Sequence, residues 1–515
     1  MNLRRFALLG VLLLLAACGG GGGSSGGGTP PPANVQVAVS PATITLGPSG
    51  SIQFACTVTG SSTTGCTWSV REGAAGGQVS ASGLYSAPAA AGAYHVVAAS
   101  VADPTRTAVA TVTVTAVPPT PWVTGYYAGW YWSSYPPEHV DMTAMTHFVF
   151  GRVAPGGGTL DGAPGEVVKG GGNSHDAGLS PDGVRSVEDY LIKKAHDQDT
   201  KALLMIGGMG DGEGFLLSTT DAVRPTFVRN LVDYLVAHDY DGVDLDWEDK
   251  LEGAPGLHVT AEEARRRLKA LIADLRQEAA TRPRYTGAGR QMLITFPGYA
   301  VSINFLEPGG KVEQWQADVA NAVDQYNLMS YGVGTTFNGG GWDSWFSSPI
   351  FGATGTTPYD LDTSIAAYVA TGVPRSKIGV GIGFYGIYFG PGITGPRQPT
   401  EGNNIWVFDD SSLSYRVLVE KGYLSHGVRR WDEEAQSVYR SYGSGGYVPA
   451  IDPTSPPAGF LSYEDEQSIA AKGAWVRSTG VGGVILWTID YGWLPESQTN
   501  PLLAAVKQSF LPERP

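Results

Sequence analysis

Asp239 to Lys250 reads DYDGVDLDWEDK, with six acidic residues among twelve. So dense a run of carboxylates is either wet surface or acid–base machinery, and the residues between the acids decide which. Val243, Leu245 and Trp247 alternate with Asp244, Asp246 and Glu248, the period of a strand whose two faces meet different surroundings. With the apolar set buried, the acids share the other face at a spacing of roughly 6–7 Å. Three carboxyl groups that close do not all ionise comfortably, so at least one keeps its proton to higher pH than usual. A carboxyl still protonated near neutrality is a general acid. The rival reading, a solvated acidic face, needs the strand to lie at a sheet edge.

The surrounding elements argue against an edge. From Trp122 onward, apolar strand-like runs alternate with helical patterns: WVTGYYAG, THFVFGRV, KALLMIGG, YDGVDLDWE, QMLITFP, VDQYNLMSY, KIGVGIGFYG and GGVILWTID. Eight such runs predict an α/β fold of the (β/α)8 TIM-barrel class over residues 122–515. The acidic run is fourth of eight, and a closed barrel has no edge. Active sites of this fold lie at the C-terminal ends of the strands, which sets Glu248 at the mouth. Thr260-Ala-Glu-Glu263 reads as a capping box opening a helix whose Leu268, Leu271, Ile272 and Leu275 share a face. Further helical stretches follow Val223, Asp362 and Ser468.

The first quarter of the 515-residue chain has other business. Residues 1–18, MNLRRFALLGVLLLLAAC, form an export signal: Arg4 and Arg5, then an apolar run ending in small residues. Leu15-Ala16-Ala17-Cys18 resembles the bacterial lipobox, which implies lipidation at Cys18 and an exported lipoprotein held at the outer membrane or cell surface; a conventional secretory signal is the alternative. Residues 19–33 are a Gly/Ser/Pro tether. Residues 34–117 carry short alternating strands (VQVAV, TITL, SIQFACTV, TAVATVTVTAV) punctuated by turn formers, the pattern of an all-β sandwich. Gly83-Leu84-Tyr85-Ser86-Ala87-Pro88, after Trp68, resembles bacterial Ig-like domains. Residues 118–121 are a stiff linker. Cys56 and Cys66, an even pair in an exported chain, read as a disulfide; two thiols lack the further ligands zinc needs, so no metal is expected.

A net charge of −14 argues against nucleic acid or an anionic membrane surface as the main partner. Membrane contact is expected only through the anchor at Cys18, and the modular layout suggests a monomer.

Asp241-Gly-Val-Asp244-Leu-Asp246-Trp-Glu248 resembles the DGxDxDxE signature of family 18 glycoside hydrolases, the chitinase family. Met205-Ile206-Gly207-Gly208 resembles the family's SxGG strand with Met in place of Ser, and Met329-Ser330-Tyr331 its MxY strand. Gly482-Gly483-Val484 leading to Trp487 resembles the last strand, and Gly125-Tyr126-Tyr127 with Trp130 the first. Phe460 to Ser468 resembles the close of a small α+β insertion before the last strand, set here at about 387–460.

The resemblance implies a retaining, substrate-assisted mechanism. Glu248 protonates the glycosidic oxygen, and the substrate's own 2-acetamido oxygen attacks the anomeric carbon. Asp246 orients the acetamido N–H, Asp244 tunes Asp246, and Tyr331 hydrogen-bonds the acetamido oxygen. Trp487 and Tyr126 are expected at the cleavage subsite, Trp130 further along the cleft, with Met329 and Tyr385 as further site positions. Tyr131, Trp132, Trp342, Trp345, Trp406 and Trp431 either extend the cleft or pack the core. No cofactor is implied. Chitin or N-acetylglucosamine oligosaccharides are the expected partners. An endo-β-N-acetylglucosaminidase acting on glycoprotein glycans, or a non-hydrolytic chitin-binding lectin, are the alternatives. The sequence departs from the family pattern at Gly332, where many members carry Asp, at Ile387, where many carry Arg, and at Asp249-Lys250, in place of Tyr-Pro. One sugar contact is thus lost or supplied from elsewhere.

Overall fold

The computed structural model describes residues 35–512 apart from 48–49, 116–119, 288, 301–310, 335–341, 358, 391, 401–409 and 444–458. The export signal with Cys18, the tether, part of the linker and Trp406 lie outside the described residues.

Eight parallel strands close into a barrel: β1 (Trp122–Ala128), β2 (His147–Pro155), β3 (Lys201–Gly207), β4 (Gly242–Asp246), β5 (Leu293–Gly298), β6 (Gln325–Leu328), β7 (Ile378–Gly383) and β8 (Gly483–Trp487). Each pairs with its successor, and β8 pairs back onto β1. Side-chain alternation builds two layers of core. Phe148 and Phe150, Leu204 and Ile206, Val243 and Leu245, and Val484 and Leu486 point outward and pack in one large cluster with the surrounding helices. Tyr126, Val149, Leu203, Met205 and Ile485 point inward and fill the barrel. Deeper inside, Thr124 Oγ1 and Gln325 Oε1 meet at 2.7 Å, so the polar atoms buried there pair with each other.

The helices form close to where periodicity sets them: Arg224–Ala237, Ala261–Ala279, Leu361–Ala370 and Glu466–Thr479. Thr260 Oγ1 caps the second of these by accepting from Glu263 N–H at 3.2 Å. The reciprocal half of the expected capping box gives way to ion pairing, because the Glu263 carboxylate binds Arg266 and Arg267 at 2.7 Å each.

Between β7 and β8 the chain builds a four-stranded antiparallel sheet from Ile387–Phe389, Val428–Asp432, Ser437–Gly443 and Gly459–Ser462, with a short helix at Tyr415–Glu420. Its last strand runs two residues past the expected end of the insertion.

Residues 36–114 are strand and turn apart from one 3-10 helix at Gly73–Gly76, in sheets of two, three and four strands around Phe54, Tyr85, Val96 and Val112. The run SIQFACTV does not form one strand. It breaks at buried Phe54 into Ser51–Gln53 and Ala55–Thr59, which join different sheets. Cys56 and Cys66 are disulfide-bonded, with Cα atoms 6.4 Å apart, and tie the two-stranded sheet to the four-stranded one. Gly47 N–H donates to Ser478 O of the barrel at 3.2 Å. Among the described residues no helix is long and apolar enough to cross a membrane.

Candidate active site

β4 ends earlier than the acidic run. Asp246 is its last residue, and Trp247 N–H turns back to Leu245 O at 2.9 Å. Trp247 still faces outward, fully buried and stacked on Phe215 with ring centroids 4.7 Å apart. That stack anchors the turn carrying Glu248 over the barrel mouth. The turn is held from its far side too: Trp247 Nε1 donates to Asp249 O at 3.0 Å, and Asp249 Oδ1 accepts from Gly212 N–H at 2.8 Å. Asp249, one of the departures from the family pattern, thus fastens the loop after β3 to the loop after β4. Gly207 permits this close approach. Its φ is +101°, and a Cβ there would lie 2.5 Å from Asp246 O.

Asp246 and Glu248 line a cavity of about 240 Å³ together with Tyr126, Met209, Pro297, Met329, Tyr331, Tyr385, Asp410, Ile485 and Trp487. The cavity opens where the strands end, as the fold requires. Asp244 lies one step deeper and is fully buried. Its Oδ1 accepts from the Thr295 hydroxyl, while Oδ2 has no hydrogen-bond partner. Burial pushes Asp244 up to about 6, against the Thr295 and Tyr126 hydroxyls, which pull it down. Asp246 is raised well above the usual carboxyl range, first by burial, then by the Glu248 and Asp244 charges; Arg152 acts in the opposite sense. Arg152 is itself tied to Asp211 and donates to Gly207 O at 2.7 Å. Glu248 rises to about 7 through burial and the neighbouring acids Asp249, Asp244 and Asp211, partly offset by the Met209 backbone N–H. The three groups therefore hold protons at a pH where isolated carboxyls have lost them. The Tyr331 hydroxyl, buried beside Tyr385 and these acids, stays protonated and remains a hydrogen-bond donor.

Of the residues singled out from sequence, Glu248, Asp246, Tyr331, Trp487, Tyr126, Met329 and Tyr385 meet in this one cavity. The Tyr126 and Trp487 rings lie 5.7 Å apart. Trp130 does not line it; 37% exposed, it sits on the turn after β1. Tyr131 lines an adjoining cavity of about 340 Å³ with Arg416, Asp490 and Tyr491. Trp345 and Trp342 are buried, the former donating to Tyr359 O at 2.7 Å, and Trp431 packs within the insertion. Trp132 donates to Asn173 at 2.8 Å. None of these four enters the catalytic cavity. Ile387 is likewise buried, in the insertion's first strand.

Four lining residues escaped the sequence reading: the apolar Pro297 and Ile485, and two that bring polar groups, Met209 and Asp410. Met209, 67% exposed, presents its backbone N–H to Glu248. Asp410, on the insertion, accepts from Trp487 Nε1 at 2.6 Å. The one signal pointing toward Asp410 is the missing carboxylate at Gly332, which directs attention to acids elsewhere in the chain.

Comparison with known proteins fits this geometry. The chain is 26% identical over 373 residues to Chitinase 1 of Aphanocladium album, covering 70% of this chain and 79% of that one. It is 25% identical over 321 residues to Chitinase A1 of Niallia circulans, spanning 58% of this chain and 41% of the relative. Among solved structures, chitinase ChiA74 from Bacillus thuringiensis superposes with a TM-score of 0.58 at 20% identity, over 76% of this chain and 70% of that one. A class V chitinase from Nicotiana tobaccum in complex with NAG4 superposes with a TM-score of 0.55 at 17% identity, over 76% of this chain and 99% of that one. Residues 123–492 match the family described as Glycosyl hydrolases family 18, and the chain belongs to that family.

Proposed function

We propose that the protein is a chitinase, hydrolysing β-1,4-linked N-acetylglucosamine polymers with retention of configuration. The observation that carries this reading is a carboxyl held protonated to about pH 7, Glu248, next to buried Asp246 in a cavity faced by Trp487 and Tyr331. Glu248 protonates the glycosidic oxygen as the bond to the anomeric carbon breaks. The 2-acetamido oxygen of the same ring attacks that carbon, giving an oxazolinium ion. Asp246 accepts the acetamido N–H and offsets the positive charge that develops on the ring. Asp244, with one oxygen unpartnered, shares the proton of Asp246. Tyr331 donates to the acetamido oxygen, a dipole fixed before charge appears. Glu248, now ionised, takes a proton from water, which attacks the anomeric carbon from the face the leaving group vacated and breaks its bond to the acetamido oxygen, so that configuration is retained.

The chitinase names of the relatives, and the NAG4 bound in one of the superposed structures, support this substrate class. Product analysis by mass spectrometry after incubation with chitin hexamer tests it, with Glu248→Gln beside the wild type. Shorter N-acetylglucosamine oligomers from the wild type alone are expected. Intact hexamer with release of glycan from a high-mannose glycopeptide would instead establish an endo-β-N-acetylglucosaminidase. Binding without any turnover would establish a lectin.

The remaining parts fit the same purpose. Residues 34–117 act as an Ig-like spacer, and Cys18 as a lipid-bearing anchor that holds the enzyme at the cell surface. Cys18→Ser is expected to move the protein from the membrane fraction to the soluble one; unchanged fractionation would count against lipidation.

A further inference from the structure

The insertion between β7 and β8 does more than border the site: through Asp410 it sends a carboxylate into the catalytic cavity. Asp410 Oδ2 accepts from Trp487 Nε1 at 2.6 Å and Oδ1 from Ser411 N–H at 2.7 Å. A carboxylate offers about four acceptor positions, so these two bonds leave room for a hydroxyl donor at the edge of a ring lying on Trp487. The charge is felt inside the cavity, where Asp410 helps to raise both Tyr331 and Tyr385. Among the described residues lining the cavity there is no Lys or Arg to neutralise it.

Gly332 explains why the carboxylate comes from so far away. It directly follows Tyr331, its φ is +66°, and a Cβ there would lie 2.7 Å from the Tyr385 hydroxyl. A side chain at 332 is thus opposed twice, by backbone strain and by a filled space. The loop after β6 presents no acid of its own at this point. The acid that faces Tyr385 and Trp487 belongs to the insertion.

We propose, resting on the chitinase reading above, that Asp410 is a substrate-contacting, specificity-determining residue. It accepts a hydrogen bond from a ring hydroxyl of the N-acetylglucosamine unit seated on Trp487, and through the bond from Trp487 Nε1 to Oδ2 fixes the angle of that indole. The insertion is thereby part of the active site and selects rings that can donate a hydroxyl hydrogen bond there.

The test is a cycle between enzyme and substrate. Wild type, Asp410→Ala and Asp410→Asn are assayed on chromogenic N,N′-diacetylchitobiosides whose ring next to the aglycone is intact, 3-deoxy or 6-deoxy. For the intact substrate, kcat/KM is expected to fall about 10–100-fold in Asp410→Ala, the range for losing a hydrogen bond to a charged group. Asp410→Asn, which keeps an acceptor oxygen, should fall between the two. One deoxy substrate should cost the wild type a similar factor and cost Asp410→Ala nothing further, because the same bond is already gone. Tm should be unchanged. Unaltered kcat/KM in Asp410→Ala overturns the proposal. So do losses that add in full for both deoxy substrates, which would leave Asp410 only a holder of Trp487. If the wild type turns over none of these substrates, the chitinase reading fails instead, and the same cycle read as Kd from tryptophan quenching still decides the role of Asp410.

Discussion

A carboxyl is an effective acid at neutral pH only when its surroundings make ionisation costly, and Glu248 meets that condition at about 7 against an ordinary 4.5. The same cost appears in stability. Below pH 4.5 Glu248 is protonated whether the chain is folded or not, and contributes no penalty. As pH rises from there toward 7, the unfolded chain releases the proton while the folded one keeps it, so this group's share of stability is progressively lost. Glu248→Gln is neutral throughout. Its Tm is therefore expected to match the wild type at pH 4 and to exceed it at pH 8; equal values at both would show that the folded carboxyl is not perturbed. Activity has the matching limb: wild-type kcat/KM should fall above about pH 7, and Glu248→Gln should lose at least about 100-fold at all pH values. Asp246→Asn should lose about 10²-fold, as for one preorganised charge. These acids were legible in sequence because alternation and signature fall on the same eight residues. Asp410 was not, because its value lies in a contact with Trp487 that no local pattern records.

At the scale of elements, the acid is only as well placed as the turn that carries it, and that turn rests on the Phe215–Trp247 stack. Phe215 is fully buried and touches no part of the catalytic cavity. Phe215→Ala should cost about 3–5 kcal/mol in stability, the usual range for emptying a buried aromatic site. It should also lower kcat at temperatures where the protein remains folded, because Trp247 loses its support and Glu248 moves with it. Leu271→Ala, in the helix Ala261–Ala279, is the control. It removes a fully buried side chain at a cost of about 2–5 kcal/mol, and should leave kcat as it was. If both variants keep wild-type kcat, the stack is packing and nothing more. The eight barrel strands were readable from apolar runs, because outward residues pack under helices and inward ones against each other. The end of β4 was not. Strand periodicity runs on through Glu248 in sequence, while in the structure the ladder stops at Asp246, and only tertiary packing of Trp247 preserves the alternation beyond it.

For the whole molecule, catalysis and stability sit in different parts of the chain. The acids and aromatic rings of the cavity all come from the barrel and its insertion, whereas the disulfide lies in residues 36–114, where few large side chains are buried. A small β region of this kind gains little from its core, so a cross-link across ten residues matters there. Closing a loop of that length removes about 3 kcal/mol of unfolded-chain entropy. The double variant Cys56→Ser, Cys66→Ser should therefore melt in its N-terminal region at markedly lower temperature, while the barrel transition and kcat on chitin hexamer stay put. The strands of this region were legible from alternation, yet the break at Phe54 was not, since nothing in SIQFACTV interrupts the β pattern. What breaks the run is tertiary: Phe54 N–H is claimed by Gly83 O at 2.9 Å, and its ring fills the core between sheets. That break sends Cys56 into a different sheet from the residues just before it, so the disulfide joins sheets rather than adjacent turns of one hairpin. Loss of kcat in step with loss of the disulfide would mean instead that the barrel depends on this region for its own fold, through contacts such as Gly47 to Ser478.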